Sequence, residues 1–215
     1  MKLESVIAAA VRFGRGAGGD AVVAWKGQEV YCLSYDRTVC LHVKRITPKR
    51  NDEVVFHACD FEGPNCRFEG ASVIFENNGA RVRTPRPPFT FEAFETLFKR
   101  LAEGTGASVL LSRDLLSLLD DDLPHVEFRW DGEKTILIQR DIYTGKTLEI
   151  DVLPQEVATK EPLAMRTDDF WSLFALASPL LFTDCGTHFK VSDLHSFEAV
   201  VGGCVYDALG TLGLA

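Results

Sequence analysis

The sequence lacks a hydrophobic run long enough to cross a membrane. A spanning helix needs about 20 consecutive apolar residues, and polar or charged residues interrupt every apolar stretch well before that length. The first apolar stretch carries Glu4 early and Arg12 late and has no convincing cleavage site. We therefore predict a folded helix there instead of a signal peptide. The expected location is the cytoplasm, with no membrane partner.

The cysteines lack the C-x-x-C spacing that is typical of zinc and redox sites. The six of them stand at positions 32, 40, 59, 66, 185 and 204. A chain of 215 residues is also far longer than the small secreted domains that disulfides hold together. We therefore predict buried free thiols in a reducing compartment.

The chain also lacks the excess of positive charge that proteins coating nucleic acid normally carry. Its formal net charge is −8, with 23 Lys and Arg against 31 Asp and Glu. This balance excludes a uniformly basic protein. A local basic surface remains compatible with it, because the field that a ligand meets is local.

No nucleophile elbow or pair of carboxylates indicates catalysis, and we predict that the chain is not an enzyme. Cys185, His188 and His195 leave a Cys–His nucleophile or a metal site as an alternative, but all three lie in or beside one predicted hairpin. Gly14–Gly19 matches the G-x-G-x-x-G pattern. Because a helix precedes it and a strand follows, a turn is favoured over a dinucleotide site.

Metal binding has two weak candidates, and we predict neither a metal nor a cofactor. His57, Cys59 and Cys66 could ligate zinc, but their spacing matches no common structural site. Asp120–Asp122 could hold a hard cation, yet the run lacks the alternating ligands of a calcium loop. A solvated helix end is the favoured interpretation of these three acids.

A repeated pattern of one helix and three strands organises the chain, and Ser112–Val152 is its best-formed copy. Helix starts are predicted near Glu4, Asp60, Ser112 and Thr167. A turn glycine follows each helix, at Gly27, Gly79, Gly132 and Gly186. Four similar offsets predict four structural repeats. The second repeat is the weakest, because Gly63-Pro64 interrupts its helix.

Two repeats per domain predict an α+β fold, with antiparallel sheets and helices on one side. The first domain is expected at residues 1–86 and the second at residues 107–215. Residues 87–106 form the connector, which contains an amphipathic helix over Thr90–Glu103.

With this order of elements, the chain resembles the DNA sliding clamps. The resemblance is to the two-domain kind that forms trimers, as in proliferating-cell nuclear antigen and the clamps of tailed phages. It is clearest over residues 107–201. There, ASVLLSRDLLSLL (Ala107–Leu119) looks like the entry to a clamp's second domain, and LAMRTDDFWSLF (Leu163–Phe174) like its last helix-bearing repeat. Lys2–Arg45 fits the first helix and hairpins.

The resemblance implies a DNA polymerase processivity factor. Three copies would close a ring of six domains around duplex DNA, with helices lining the hole and sheet edges pairing between subunits. DNA polymerase and a clamp loader are the implied partners, in the cytoplasm of a bacterial host if a phage encodes the chain. The alternative is a clamp-like, β-rich protein-interaction module that does not bind DNA.

The same resemblance implies that cations on the channel helices attract phosphates without reading sequence. The candidates are Lys2, Arg12, Arg15, Arg67, Arg113 and Arg166. Each of them could equally be an ordinary solvated charge. Asp120–Asp122 and Asp168-Asp169 oppose DNA binding on these helices.

Clamps recruit partners through a short peptide that docks beside the interdomain connector. Phe89, Phe91 and Phe94 lie in the corresponding stretch and are the candidate peptide anchors. Their helical spacing favours the alternative that they pack the connector helix onto the core.

Overall fold

The computed structural model describes residues 1–13, 20–35, 38–130, 133–141, 143–153 and 164–202. These residues contain three α-helices, fifteen β-strands and short 3₁₀ helices, as the predicted α+β class requires. Within them, no helix has the length and apolar character needed to cross a membrane.

The elements follow the chain in two halves. The first half contains α1 (Leu3–Ala10), β1 (Ala21–Gly27), β2 (Glu29–Ser34), β3 (Val39–Val43), β4 (Arg50–His57), β5 (Cys66–Glu69), β6 (Ser72–Asn77) and β7 (Ala80–Pro85). The second half contains α2 (Phe91–Leu101), β8 (Ser108–Leu111), β9 (His125–Trp130), β10 (Thr135–Arg140), β11 (Thr147–Leu153), β12 (Ala164–Arg166), α3 (Thr167–Leu176), β13 (Leu180–Asp184), β14 (Phe189–Ser192) and β15 (Phe197–Val201).

The strands form three antiparallel sheets. The largest has eight strands in the order β4-β1-β2-β3-β15-β14-β13-β8. A four-stranded sheet has the order β11-β10-β9-β12, and a three-stranded sheet has the order β5-β6-β7. The two halves of the chain therefore share the largest sheet.

Helices cover both faces of the eight-stranded sheet, which explains why its first strands are apolar on both sides. Val23 and Trp25 of β1 join the core that contains α1 and α3. Val22 and Ala24 join a second core beneath α2. The helices of the four repeats all join the first core, on one side as predicted. The connector helix α2, which belongs to no repeat, buries its apolar stripe against the other face.

The connector helix α2 forms as its sequence predicts. Thr90 caps it, because its Oγ1 accepts a hydrogen bond from Ala93 N at 3.2 Å. Glu92 stands in the first turn and Lys99 and Arg100 in the last, which suits the helix dipole. Its buried residues are Phe91, Phe94, Leu97, Phe98 and Leu101.

The order of one helix followed by three strands occurs four times, but two of the helices are 3₁₀ helices. Ala58–Asp60 opens the second unit and Arg113–Leu118 the third. Because a 3₁₀ helix has about three residues per turn, the predicted leucine face does not form: Leu116 is buried, whereas Leu118 is 56% exposed. The turn at Gly132 and the segment Gly14–Gly19 lie outside the described residues.

The predicted caps of the third and fourth units differ. Ser112 Oγ accepts a hydrogen bond from Asp114 N at 3.3 Å and caps the 3₁₀ helix as expected. Thr167 does not cap α3: its hydroxyl donates to the carbonyl of Leu123. Arg166 is the N-cap residue and makes no capping bond through its side chain.

The junction between the halves joins β3 to β15. The strands pair antiparallel from Val39 opposite Val201 to Val43 opposite Phe197. Each of these strands is the last strand of its unit, the first and the fourth respectively. Every residue of β3 is buried, so this junction is part of the core.

Candidate functional site

Two strands occupy in the second and third units the position that β3 and β15 occupy in the first and fourth. These strands are β7 and β11, and each of them ends its sheet. Within the described residues, β7 pairs with β6 alone and β11 with β10 alone. Each therefore presents one row of backbone N–H and C=O groups that can pair with another strand.

The free edge of β7 is basic on its outer face. Arg81 and Arg83 alternate along the strand, and their side chains are 48% and 55% exposed. Both guanidinium groups bond to the same carboxylate, Glu69 on β5, so one positive charge is left uncompensated in this group. Val82 points to the opposite, core-facing side and is still 37% exposed, on a strand that no other described strand pairs with beyond β6.

The free edge of β11 is acidic on its outer face. Glu149 and Asp151 alternate along the strand and are exposed. Asp151 pairs at 2.5 Å with Lys134, the residue just before the neighbouring strand β10. Ile150 and Val152 point to the other side, where they pack partly against the core.

An apolar groove of about 530 Å³ lies beside the inner face of β11. Its apolar lining comes from β8, the 3₁₀ helix Arg113–Leu118 and β11. The side chains of Leu110 and Leu118 in this lining are 52% and 56% exposed. The acidic edge thus has an exposed apolar surface on its inner side. The basic edge has a smaller one, which is formed by Val82.

The helical elements beside α1 form one layer, but the layer is not basic. α1, α3 and both 3₁₀ helices pack against one hydrophobic core, and α1 contacts α3 directly. α3 has no Lys or Arg and exposes Asp168. α1 exposes Glu4, and the 3₁₀ helix of the third unit exposes Asp114 beside Arg113. Acids therefore offset the cations in this layer.

The predicted DNA-contacting cations lie on different elements and have different partners. Lys2 and Arg12 flank α1 and are exposed. Arg67 lies on the strand β5 instead of on a helix, and pairs with Glu76 at 2.8 Å. Arg113 donates to the carbonyl of Phe174 and so supports the end of α3. The two others are Arg166, on β12 with its guanidinium 3.9 Å from Asp168, and Arg15, outside the described residues.

Two of the three candidate peptide anchors are core residues. Phe91 is 8% exposed and Phe94 is 2% exposed, because α2 presses both against the sheet. Phe89 is half-buried, and its ring packs edge-on against Phe94 at 5.7 Å between centroids. A docking peptide could reach Phe89, but it could reach the other two only if α2 moved.

Asp120, at the start of the acidic run, has a structural role. Its carboxylate binds Lys146 Nζ at 2.6 Å, and this bond lowers the pKa of Asp120. The Gln139 side chain accepts from Asp120 N at 2.7 Å and donates to its carbonyl at 3.1 Å. These bonds attach the turn that follows the 3₁₀ helix to Gln139 of β10.

The region around Cys185 and His188 packs against the segment that follows α2. Lys190 Nζ donates to the Gly104 carbonyl at 3.2 Å, and a Cβ on Gly106 would overlap the Asp184 carbonyl. Burial raises the pKa of Cys185 and lowers that of His188. Both groups are therefore kept neutral, which is the opposite of a thiolate–imidazolium pair.

Two of the three candidate zinc ligands share one partner, Asp20, and the third has a different one. Asp20 accepts a hydrogen bond from the Cys59 thiol at 3.2 Å and lies 3.2 Å from His57 Nδ1. Cys66 instead accepts from Arg50 at 3.2 Å. Partial desolvation of the thiol and its hydrogen bond to Asp20 raise the pKa of Cys59 to about 12. In the described part of the chain, no three potential ligands converge on a metal position.

The described cysteines are free, as the sequence predicts, but not all are buried. The buried thiols are Cys32, Cys40 and Cys66, whereas Cys185 is half-buried and Cys59 is exposed. Cys59 is exposed because it belongs to a single 3₁₀ turn on the surface of the second unit.

Sheet edges that pair between subunits were expected, but the sequence analysis did not identify the strands that form them, although a signal was present. The strand Ala80–Pro85 alternates arginine with smaller residues, and Thr147–Leu153 alternates acids with aliphatic residues. Charges of one sign on one face of a strand are typical of an uncovered edge.

No family model and no curated protein matches the sequence. Solved structures match its fold. The DNA polymerase III beta subunit of Borrelia burgdorferi superposes with a TM-score of 0.60 and 12% identity, over 93% of this chain and 59% of that chain. The beta subunit of Thermotoga maritima superposes with a TM-score of 0.58 and 13% identity, over 93% of this chain and 61% of that chain.

The beta clamp of Helicobacter pylori, solved with a DNA ligase peptide, gives a TM-score of 0.53 and 10% identity, over 93% of this chain and 63% of that chain. The chain thus spans about three fifths of the length of these structures. It has the fold of the DNA sliding clamps, as the resemblance in sequence predicts.

Proposed function

We propose that the chain is a sliding clamp: a non-enzymatic processivity factor that encircles duplex DNA and holds a DNA polymerase on it. Three copies form the ring in this proposal, and a clamp loader places it on DNA in the cytoplasm. The fold and the pair of free strand edges support it. Phage origin remains part of the same proposal.

The observation that carries the proposal is the match between the two edges. When β7 of one copy pairs antiparallel with β11 of the next, it repeats the β3–β15 junction of the chain itself. Arg81 and Arg83 then lie on the same face as Glu149 and Asp151. Val82 reaches the apolar side, next to the groove beside β11. Such a head-to-tail contact closes a ring if the rotation between copies allows it.

Partner recruitment is the less constrained part of the proposal. The Helicobacter clamp was solved with a DNA ligase peptide, so a replication protein with a short peptide is the partner class that we infer. Phe89 is the proposed contact among the aromatic residues before and within α2, since it alone of the three candidates keeps an accessible side chain.

The first test is the mass of the protein in solution at micromolar concentration. Sedimentation equilibrium should give a particle of three times 23.8 kDa. The second measurement is retention on closed circular DNA after loading, with loss when the circle is cut. A monomer at all concentrations, without assembly around DNA, would contradict the proposal.

The charge of the helical layer favours a second candidate function, a clamp-like protein-interaction module that does not bind DNA. α3 exposes an acid and no cation, which is a poor surface for phosphates. Retention on neither circular nor linear DNA, with an intact ring, would support this candidate over the first.

A further inference from the structure

The loop between β3 and β4 is a positively charged stretch that the predicted channel does not include. Residues 38–51, which run from before β3 to the start of β4, contain Lys44, Arg45, Lys49 and Arg50 and no Asp or Glu. The chain as a whole has more acids than bases. A local excess of this kind is where an anionic partner meets an attractive field.

Backbone hydrogen bonds bring a further cation to this loop. Leu3 N donates to the Thr47 carbonyl at 3.1 Å, and Lys2 forms an isolated parallel bridge with Thr47. Lys2 therefore lies beside the loop, at the start of α1. Lys2, Lys44, Arg45 and Lys49 are called the cationic cluster below.

All four side chains of the cationic cluster are exposed, and within the described residues none of them forms an ion pair. Arg50 differs, because it pairs with Asp52 at 2.7 Å and stacks over Trp25. The adjoining loop contains Asp193, whose carboxylate accepts hydrogen bonds from Ser196 N at 2.7 Å and Phe197 N at 3.0 Å. That acid is occupied by its own loop.

Arg45 stands in an unusual backbone conformation. Its φ is 59°, in the left-handed region that a residue with a Cβ seldom adopts. Ile46 N donates to the Gln28 carbonyl at 2.8 Å and fixes the next residue. Glycine would adopt this φ at lower cost, and the residue that stands there instead places a long cation on the surface.

We propose that the cationic cluster binds the phosphate backbone of duplex DNA, and that it supplies attraction that the helical layer lacks. The identification of the anion as duplex DNA rests on the proposed function. Lys and Arg side chains on an exposed loop contact phosphates without reading bases, and sliding along DNA requires contacts of this kind.

The test compares two variants that lose the same number of charges. The cluster variant combines Lys44→Gln, Arg45→Gly and Lys49→Gln, and glycine suits the backbone at position 45. The control variant combines Lys26→Gln, Lys99→Gln and Arg100→Gln, which removes cations from the α2 side of the sheet. Circular dichroism and thermal unfolding establish that both variants are folded.

Binding to a labelled short duplex is measured by anisotropy between about 50 and 200 mM salt. The cluster variant should bind at least about 10-fold more weakly at the lowest salt. The slope of log affinity against log salt should become shallower by about 2 to 3, because each lost phosphate contact contributes about 0.9. The control variant should stay within about twofold of the wild type, on the same counterion argument.

Three results would overturn the inference: no binding by the wild type at the lowest salt, equal weakening in both variants, or tighter binding to an acidic peptide than to the duplex. The mass of the assembly is measured on the same samples. An intact ring with an unaffected cluster variant rejects this inference alone. A cluster effect without a ring rejects the proposed ring and leaves the DNA contact standing.

Discussion

The last strands of the four units fall into two kinds. β3 and β15 meet inside the chain, whereas β7 and β11 end their sheets. The sequence of β3 is VCLHV and carries no acid, Lys or Arg, whereas β7 and β11 each alternate charges of one sign. A strand whose two edges are paired within the chain can be apolar throughout. A strand with a free edge needs charged side chains that keep it in solution and prevent pairing with the wrong strand.

The charges on the two edges satisfy both requirements because they differ in sign. Two β7 edges repel each other, and so do two β11 edges, while β7 attracts β11. Like charges directly opposite one another are unfavourable across strands and opposite charges are favourable. This pattern favours a head-to-tail contact over a symmetric dimer, and only a head-to-tail contact can close a ring of three.

Reversal of one edge should have the largest effect on this comparison. We expect the double substitution Arg81→Glu and Arg83→Glu to abolish assembly, because four acidic side chains would then face one another across the β7–β11 contact. Sedimentation should report a monomer at concentrations where the wild type assembles. The fold should persist, since both residues are exposed.

The matched control reverses the other edge as well. Glu149→Arg with Asp151→Arg should also abolish assembly when introduced alone. A chain that carries both reversals should regain at least part of it, because the signs are complementary again. If the combined variant is no better than either single-edge variant, the charges do not select the contact.

A pair of identical substitutions compares the closed junction with the open edge. Val43→Ala on β3 should lower the free energy of unfolding by about 2 kcal/mol, because it leaves a cavity in a buried junction. Val82→Ala on β7 should change it by no more than about 0.5 kcal/mol in the monomer. Urea unfolding of the two variants measures both values.

Val82→Ala should nevertheless weaken assembly, which the concentration dependence of the sedimentation profile reports. Val43→Ala should leave the edges unchanged and assemble normally while it remains folded. Equal losses of stability in the two monomers would mean that Val82 is as well covered as Val43, and that β7 is not an open edge.

Sequence periodicity was sufficient for the elements that have a single strong signal. α2 is one such element, because Thr90, the phenylalanine spacing and the terminal charges all indicate the same helix. The hairpin of β6 and β7 is another, since Asn-Gly between alternating strands specifies its turn. These elements depend on neighbours in sequence, and their positions agree with the structure.

Features that depend on distant residues could not be predicted in this way. The Leu115–Leu119 stretch has helical spacing, yet Arg113–Leu118 is a 3₁₀ helix that exposes Leu118. Phe91 and Phe94 look like candidate anchors until the second core beneath α2 is known. The pairing of β3 with β15 joins residues more than 150 positions apart, and no local pattern specifies it.

Acidification should weaken the closed junction by a small amount through His42 of β3. Its ring stacks on Tyr31 at 4.2 Å and bonds Glu29 at 2.9 Å, beneath Phe98 of α2. Burial lowers the pKa of His42 from its ordinary value of 6.5, although Glu29 opposes the shift. The positive charge of Lys44 also lowers the pKa of His42. Glu198, which lies opposite His42 on β15, raises it, as Glu29 does.

The folded state disfavours protonation of His42, so the unfolded state binds more protons than the folded state as the pH falls below 6.5. Stability is therefore complete above that value and decreases as the pH falls from it toward the pKa of the folded state. Thermal unfolding at successive pH values between about 7.5 and 5.5, a range in which ordinary carboxylates stay ionised, should show a smaller decrease in stability for His42→Gln than for the wild type.

His195→Gln, on an exposed loop, is the control and should follow the wild type. His188, whose pKa burial also lowers, accounts for the part of the decrease that His42→Gln retains. A decrease of wild-type size in His42→Gln would exclude His42 as its source and place the pH sensitivity of the fold outside the β3–β15 junction.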